Sequence, residues 1–258
     1  MSDESLSLAV SIGLFAGLML LLDLGYRVGD RQRRQHPETS HEGVGVIEAA
    51  VFALLGLLLA FSLSDAMTRL DQRRQLIVTE ANSISTAYQR IDLLPPADQP
   101  AMRSLFRVYL DARLAAYQKF PDDRAAEAGM DQAEKIEDQI WEKAVAGARA
   151  SSDREAELLL LPAISDMDSV TTERKFALHT HIPPFVFALL ISVALLSALL
   201  AGYAMAKRGT RSWLHLVIYP VVVAVTIFAL LELEYPRSGH HVLEPVDKAM
   251  YDLRDSIK

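Results

Sequence analysis

Four stretches of this chain, residues 6–25, 44–64, 184–206 and 213–233, run for about 20 residues each with almost no ionisable side chain. A helix rising 1.5 Å per residue needs about that length to cross a hydrocarbon core of roughly 30 Å. Only Asp23, Glu48, His215 and Glu232 interrupt the four runs. Inside a bilayer each backbone N–H and C=O must be paired within the protein, so open runs of this length are expected to be helices. Hydrophobic residues make up 51% of the 258 residues, yet the mean hydropathy is only +0.16. The average therefore conceals an apolar membrane part and a densely charged remainder. That distribution excludes a soluble enzyme and a fibrous or disordered chain, and the absence of cysteine excludes a disulfide scaffold. A net charge of −7 with no basic patch interleaved by aromatics argues against nucleic acid as a partner.

The first run is expected to be a retained span. Residues 1–5 are acidic, and the basic cluster Arg27, Arg31, Arg33 and Arg34 follows the run, whereas a signal peptide carries its positive charge first. Four spans then give residues 1–64 as the first two transmembrane helices, 65–183 as a polar helical domain, 184–233 as the last two spans and 234–258 as a polar C-terminal tail. The expected location is a bacterial inner membrane, crossed several times. An even number of spans puts both termini and residues 65–183 on one side. Lys and Arg in the short loops 26–43 and 207–212 are balanced by Arg69, Arg73, Arg74, Arg174, Lys175, Arg237 and Lys248 beside the large segment and in the tail. The positive-inside rule thus leaves the orientation open.

The polar segment reads as helical, giving an all-α fold. Between Gly56 and Leu94 there is neither Pro nor Gly, so the second span has no stop where it leaves the membrane and continues as one long helix. Beyond the bilayer Leu76, Ile77, Ile84, Ala87, Tyr88 and Ile91 recur at spacings of three and four, an amphipathic face that needs a partner. Leu94-Pro95-Pro96 ends it, since proline disfavours the helical region for its predecessor. Further helices are expected over about 98–120, 122–150 and 154–180, the last kinked or broken at Pro162. Pro183-Pro184 opens the third span. The charge-dense stretch 122–143 reads as a solvated face.

The stretch Leu55 to Arg90, LGLLLAFSLSDAMTRLDQRRQLIVTEANSISTAYQR, is the most specific text in the chain. It resembles the second transmembrane helix of bestrophins, in which an apolar helix ends in Phe and is followed by two spaced arginines, here Phe61, Arg69 and Arg74. Thr180-His181-Ile182-Pro183-Pro184-Phe185 is similar to that family's entrance to its third span. Leu231-Glu232-Leu233-Glu234-Tyr235-Pro236 and Leu243-Glu244-Pro245-Val246-Asp247 resemble the region after its fourth. The phrases LPAISDMDSVTTERKFALHTHIPP and EANSISTAYQRIDLLP are similar to bacterial bestrophin-like proteins. The resemblance implies a homopentameric ion channel passing small ions, chloride or other anions included, through a pore lined by the second helices. It also implies a pore neck at Ala53, Leu57 and Phe61, and structural roles for Arg69, Arg74, Pro183 and Pro236. Three apolar rings at four-residue spacing would stop ions by dewetting.

The chain departs from the family pattern at several points. Ala53 is small, Leu70-Asp71 replaces an aromatic pair, and the acidic run that forms a calcium clasp in animal bestrophins is absent after Pro236. Glu48, about one turn inside the second span, is the ionisable residue to watch, because intramembrane acids usually face a cavity or a partner. Five of them at a pore mouth would favour cations; the plain reading is an interfacial acid. The small residues Ala49, Ala53, Gly56, Ala60 and Ser64, with Gly13 and Gly17 in the first span, also fit close helix packing. His179/His181, His240/His241, His36 and His41 lack the spacing of a zinc motif, so no metal or cofactor is expected. There is no nucleophile elbow, phosphate loop or carboxylate pair in a catalytic frame, and no enzyme is expected. The alternative to a channel is a non-conducting helical membrane protein whose polar segment senses or docks a partner.

Overall fold

The computed structural model describes residues 3–35, 44–119, 122–151, 154–207, 213–234 and 244–257. Every regular element among them is a helix: α1 Asp3–Gln35, α2 Val44–Gln89, α3 Gln99–Tyr117, α4 Asp123–Ala150, α5 Leu161–His179, α6 Pro184–Lys207, α7 Trp213–Glu234 and α8 Glu244–Ser256. The chain forms two compact units, Met1–Thr68 with His181–Tyr235, and Arg69–Thr180 with Pro236–Lys258.

The first unit holds the four helices long and apolar enough to cross a membrane, supplied by α1, α2, α6 and α7. Its centre is apolar, built on Leu14, Leu18, Leu22, Leu55, Leu190, Ala194, Ala198 and Ile227. The tightest approach is α1 on α6. A Cβ on Gly25 would sit 2.1 Å from the Leu199 carbonyl oxygen, and one on Gly202 would sit 2.0 Å from that of Leu22. Gly29 faces the Tyr203 carbonyl in the same way. Among lipid tails no hydrophobic force drives helices together, so close backbone approach and dispersion must do it. The expected contacts at Gly13 and Gly17 shift accordingly: among the described residues a Cβ on Gly13 would meet no neighbouring helix within 4 Å, and one on Gly17 would meet the Leu195 side chain at 3.3 Å. Basic residues expected in a loop after residue 25 lie instead on α1, which runs on to Gln35. Asp23 pairs with Arg27, and Asp30 with Arg33 and Arg34, one helical turn apart.

The second unit is an amphipathic helical assembly. The polar half of α2 buries Ile77, Ile84, Ala87 and, in the 3-10 turn Arg90–Leu93, Ile91, with Leu76 and Tyr88 half-buried. α3 adds Met102, Phe106, Tyr109 and Leu110, and α4 adds Met130, Ala133, Ile140 and Ala144. Asp122 caps α4 by accepting a hydrogen bond from the Ala125 N–H. A π-helical turn, Ala156–Leu160, runs directly into α5, so Pro162 falls just after the point where the helix type changes. The polar C-terminal tail contains α8, which docks on α3 through Arg254 to Asp111 and Tyr251 to Gln118.

Candidate functional site

In the membrane unit α2 has two unlike faces. Leu55, Ser62 and Ala66 are buried, Leu58 and Leu59 pack against the apolar centre, and Phe52 meets Tyr219 edge to face at 5.2 Å. The opposite face is bare. Ala49, Ala50, Ala53, Gly56, Leu57, Ala60, Phe61 and Ser64 are all exposed, with Phe61 62% and Leu57 53% accessible. Nothing lies within 4 Å of where a Cβ on Gly56 would be. Only 11% of the α2 window is buried within the chain, against 28–33% for the other three spans.

The exposed faces differ in kind. α1 and α7 turn outward large aliphatics, Leu20 and Leu24 on one and Ile218, Val221, Val222 and Val225 on the other, as a lipid-facing surface does. α2 also turns outward large groups, Val46, Ile47, Leu54, Leu57, Phe61 and Met67, but interleaves them with Ala49, Ala50, Ala53, Gly56 and Ala60. Small residues of this kind let another backbone come near. The same face continues past the membrane as Thr68, Gln72, Gln75, Thr79, Asn82, Thr86 and Gln89, all exposed. One helix thus carries a single uncovered stripe, apolar at its start and polar afterwards. Glu48, near the beginning of α2, is half-buried.

The remaining expected positions are arranged around this helix. Arg69 is half-buried, and Arg74 lies near the surface, its Nη1 3.4 Å from Asp71 Oδ1. One arginine that fastens the helix is Arg73. Buried to 4% exposure, it donates to the carbonyls of Ala177 (3.0 Å) and Thr180 (2.8 Å), satisfying the carbonyl end of α5 with a positive charge. Arg74, the position the resemblance names, is its neighbour. The two differ by 100° around the helix, and only packing tells which side is covered.

Pro183 accepts the first backbone hydrogen bond of α6 from Val186, and Pro184 is the first helical residue. The Ile182 N–H just before them is taken by Glu234 Oε1 at 2.6 Å, and His181 Nδ1 lies 3.5 Å from the same oxygen. A buried carboxylate at the end of α7 therefore fixes the entrance to α6. This gives the Leu231–Tyr235 phrase a physical role. Pro236, His36, His41, His240 and His241 lie outside the described residues.

The Bestrophin-like domain family matches residues 7–247. The chain is a member of the bestrophin-like family. Three solved structures of a bacterial bestrophin homologue from Klebsiella pneumoniae, each carrying one substitution, resemble it over most of its length. Their TM-scores are 0.67, 0.66 and 0.65 at 14%, 13% and 14% identity, covering 96%, 96% and 92% of this chain and 97%, 98% and 98% of theirs. At that identity the likeness is one of fold. No curated protein matches the sequence. This bestrophin-like chain is a multi-pass membrane protein with an all-α fold.

Sequence reasoning missed a second cluster, the buried polar centre of the helical unit. Glu80 of α2 is fully buried and binds two guanidinium groups, Arg113 of α3 (Nε to Oε1, 2.8 Å) and Arg174 of α5 (Nη1 to Oε2). The Tyr117 hydroxyl accepts from Arg113, and the Arg174 guanidinium stacks over the Tyr117 ring at 3.9 Å. Burial alone would raise the Glu80 pKa, but Arg174 and Arg113 together hold it below the usual carboxylate value. Beside them the Tyr109 hydroxyl lies 3.1 Å from Thr171 Oγ1 and 3.4 Å from Glu137 Oε2. A signal was available. Each of these charged residues occupies a position that the apolar period of its helix assigns to the inner face: Glu80 between Ile77 and Ile84, Glu137 between Ala133 and Ile140. The expectation that 122–143 is a wholly solvated face fails at Glu137, while Glu134, Lys135, Asp138 and Glu142 are exposed as expected.

Proposed function

We propose that this bestrophin-like protein assembles as a homopentamer whose five α2 helices line a conduit for small ions, chloride or other anions among them. The observation that carries the reading is the bare stripe of α2 in a chain of this family. Five copies would turn Ala53, Leu57 and Phe61 toward a common axis, making rings of methyl, isobutyl and phenyl groups. Rings of that kind gate by dewetting, because a narrow apolar collar excludes the water an ion needs. Glu48 would stand at the mouth, and the polar continuation of the stripe would line a wide hydrated passage. The lipid bilayer covers the aliphatic faces of α1 and α7.

Single-channel recording on purified protein in planar bilayers tests the reading. Current in symmetric salt is expected, and Phe61→Ala and Leu57→Ala should raise it several-fold by widening the collar. Silence of the wild type and of both variants would overturn the channel, and a detergent-purified monomer or dimer would favour a sensing or docking protein. Unchanged current in the two variants of an active channel would remove these side chains from the neck. Reversal potentials in asymmetric salt assign the ion.

A further inference from the structure

Glu137 stands apart from the other acids of α4. Its side chain is 5% exposed, and its Oε1 is buried with no hydrogen-bond partner among the described residues. Its other oxygen, Oε2, meets only the Tyr109 hydroxyl, at the long distance of 3.4 Å. One turn to either side along α4, Ala133 and Ile140 are completely buried. A carboxylate so enclosed lacks the two or three strong donors that a buried charge requires.

The groups facing it explain why it lacks them. From α2 comes Glu80, a like charge. From α3 come Tyr109 and Arg113, but the guanidinium of Arg113 is committed to Glu80 and Tyr117. From α5 comes Asp168, another like charge, while the uncharged Thr171 bonds to the Tyr109 hydroxyl. The second guanidinium of the cluster, Arg174 of α5, also serves Glu80. On α4 itself Glu134 points to Lys175 at the surface, with Asp138 exposed to solvent. Both arginines of the cluster thus attend one carboxylate, and Glu137 is left with a hydroxyl.

We propose that Glu137 is a proton-binding site of the helical unit, neutral when its buried oxygen carries a proton and, once that proton is lost, a competitor with Glu80 for Arg113. Either occupancy is electrostatically tolerable. With Glu137 neutral the two guanidinium groups face one carboxylate; with it ionised they face two. Loss of the proton draws Arg113 toward α4 and loosens its link to α2, so the packing of α2, α3, α4 and α5 depends on pH.

The electrostatics place the transition in an accessible range. Burial, then the charge of Asp168, push the Glu137 pKa from the ordinary 4.5 up to about 8, against the weaker opposing pull of Arg113. The sign follows from linkage. The unfolded chain gives up this proton near 4.5, and the folded one keeps it until about 8. The stabilisation of the proton-bound unit is therefore complete below about 4.5 and is lost as pH rises through about 8.

Infrared difference spectroscopy on the full-length protein in lipid nanodiscs, titrated from about pH 6 to about pH 10, reads the proton directly. The protonated-carboxyl stretch is expected to vanish with a midpoint near 8 and to be missing from Glu137→Gln at every pH. Asp168→Asn, an exposed change that leaves the core intact, should move the midpoint to lower pH by removing a like charge. The thermal midpoint should fall with pH in the wild type more steeply than in Glu137→Gln. A stretch that persists in Glu137→Gln, or no protonated carboxyl above about pH 6, overturns the site. So does a midpoint that Asp168→Asn leaves in place. None of these readouts requires the protein to conduct.

Discussion

The two units solve the same problem, holding long helices side by side, by opposite means. In the membrane unit the decisive contacts are between backbones: Gly25 and Gly29 of α1 lie against α6 carbonyls, and Gly202 of α6 lies against that of Leu22. In the helical unit the helices are drawn together by burying Phe106, Tyr109, Ile77 and Ile140, and are then tied by a charged centre, Glu80 with Arg113 and Arg174. The solvent accounts for the difference. Lipid rewards no burial of apolar surface, so shape must supply the attraction; water rewards it, and the polar centre can then select one arrangement.

The contrast can be broken most severely from the membrane side. Gly202→Leu puts a side chain into the Leu22 carbonyl, where a Cβ alone would come within 2.0 Å, so α1 and α6 cannot remain in register. We expect loss of folded protein on purification, a destabilisation above the roughly 1–3 kcal/mol typical of an overpacked core. Gly13→Leu, which meets open space, should be tolerated. Equal behaviour of the two variants would mean that backbone proximity does not hold this unit.

In the helical unit Glu80→Ala leaves two buried guanidinium groups without their carboxylate. Breaking a buried pair this way costs about 3–5 kcal/mol. Replacing the charges together with apolar groups, Glu80→Met with Arg113→Met and Arg174→Met, should recover much of that loss, measured by denaturant unfolding. If the single and triple variants unfold alike, the cluster is not a coupled group. The smallest effect is expected at Asp122, whose cap on α4 contributes about 1 kcal/mol. Asp122→Ala should lower the unfolding midpoint slightly while Asp122→Asn leaves it nearly unchanged, since either side chain accepts from the Ala125 N–H.

Much of this architecture is legible from residue order alone, because hydrophobic run length and helix stops are local properties. The absence of Pro and Gly after Gly56 predicts that the second span continues, and α2 does run from Val44 to Gln89. Proline at 183 and 184 marks the start of α6. Periodicity also identifies the buried stripe of Ile77, Ile84 and Ile91. It fails where a charged residue occupies an inner position. Glu80, Arg113, Glu137 and Arg174 come from four helices, and no spacing within one helix announces that three of them will find each other.

The candidate neck divides along the same line. That Ala53, Leu57 and Phe61 share one face follows from a helical repeat of 3.6 residues and from nothing else. That this face is left bare, while Leu55, Ser62 and Ala66 are covered, follows from how α2 packs on the apolar centre of the membrane unit, with Phe52 against Tyr219 of α7. The same holds for Arg73 and Arg74, adjacent in sequence yet one buried as the cap of α5 and one beside Asp71 near the surface. Residue order by itself determined the helices, their lengths and their faces, since these arise from interactions within a few residues. Which face meets another helix, and which buried charge meets its partner, was decided only by tertiary structure, because those energies belong to residues tens of positions apart.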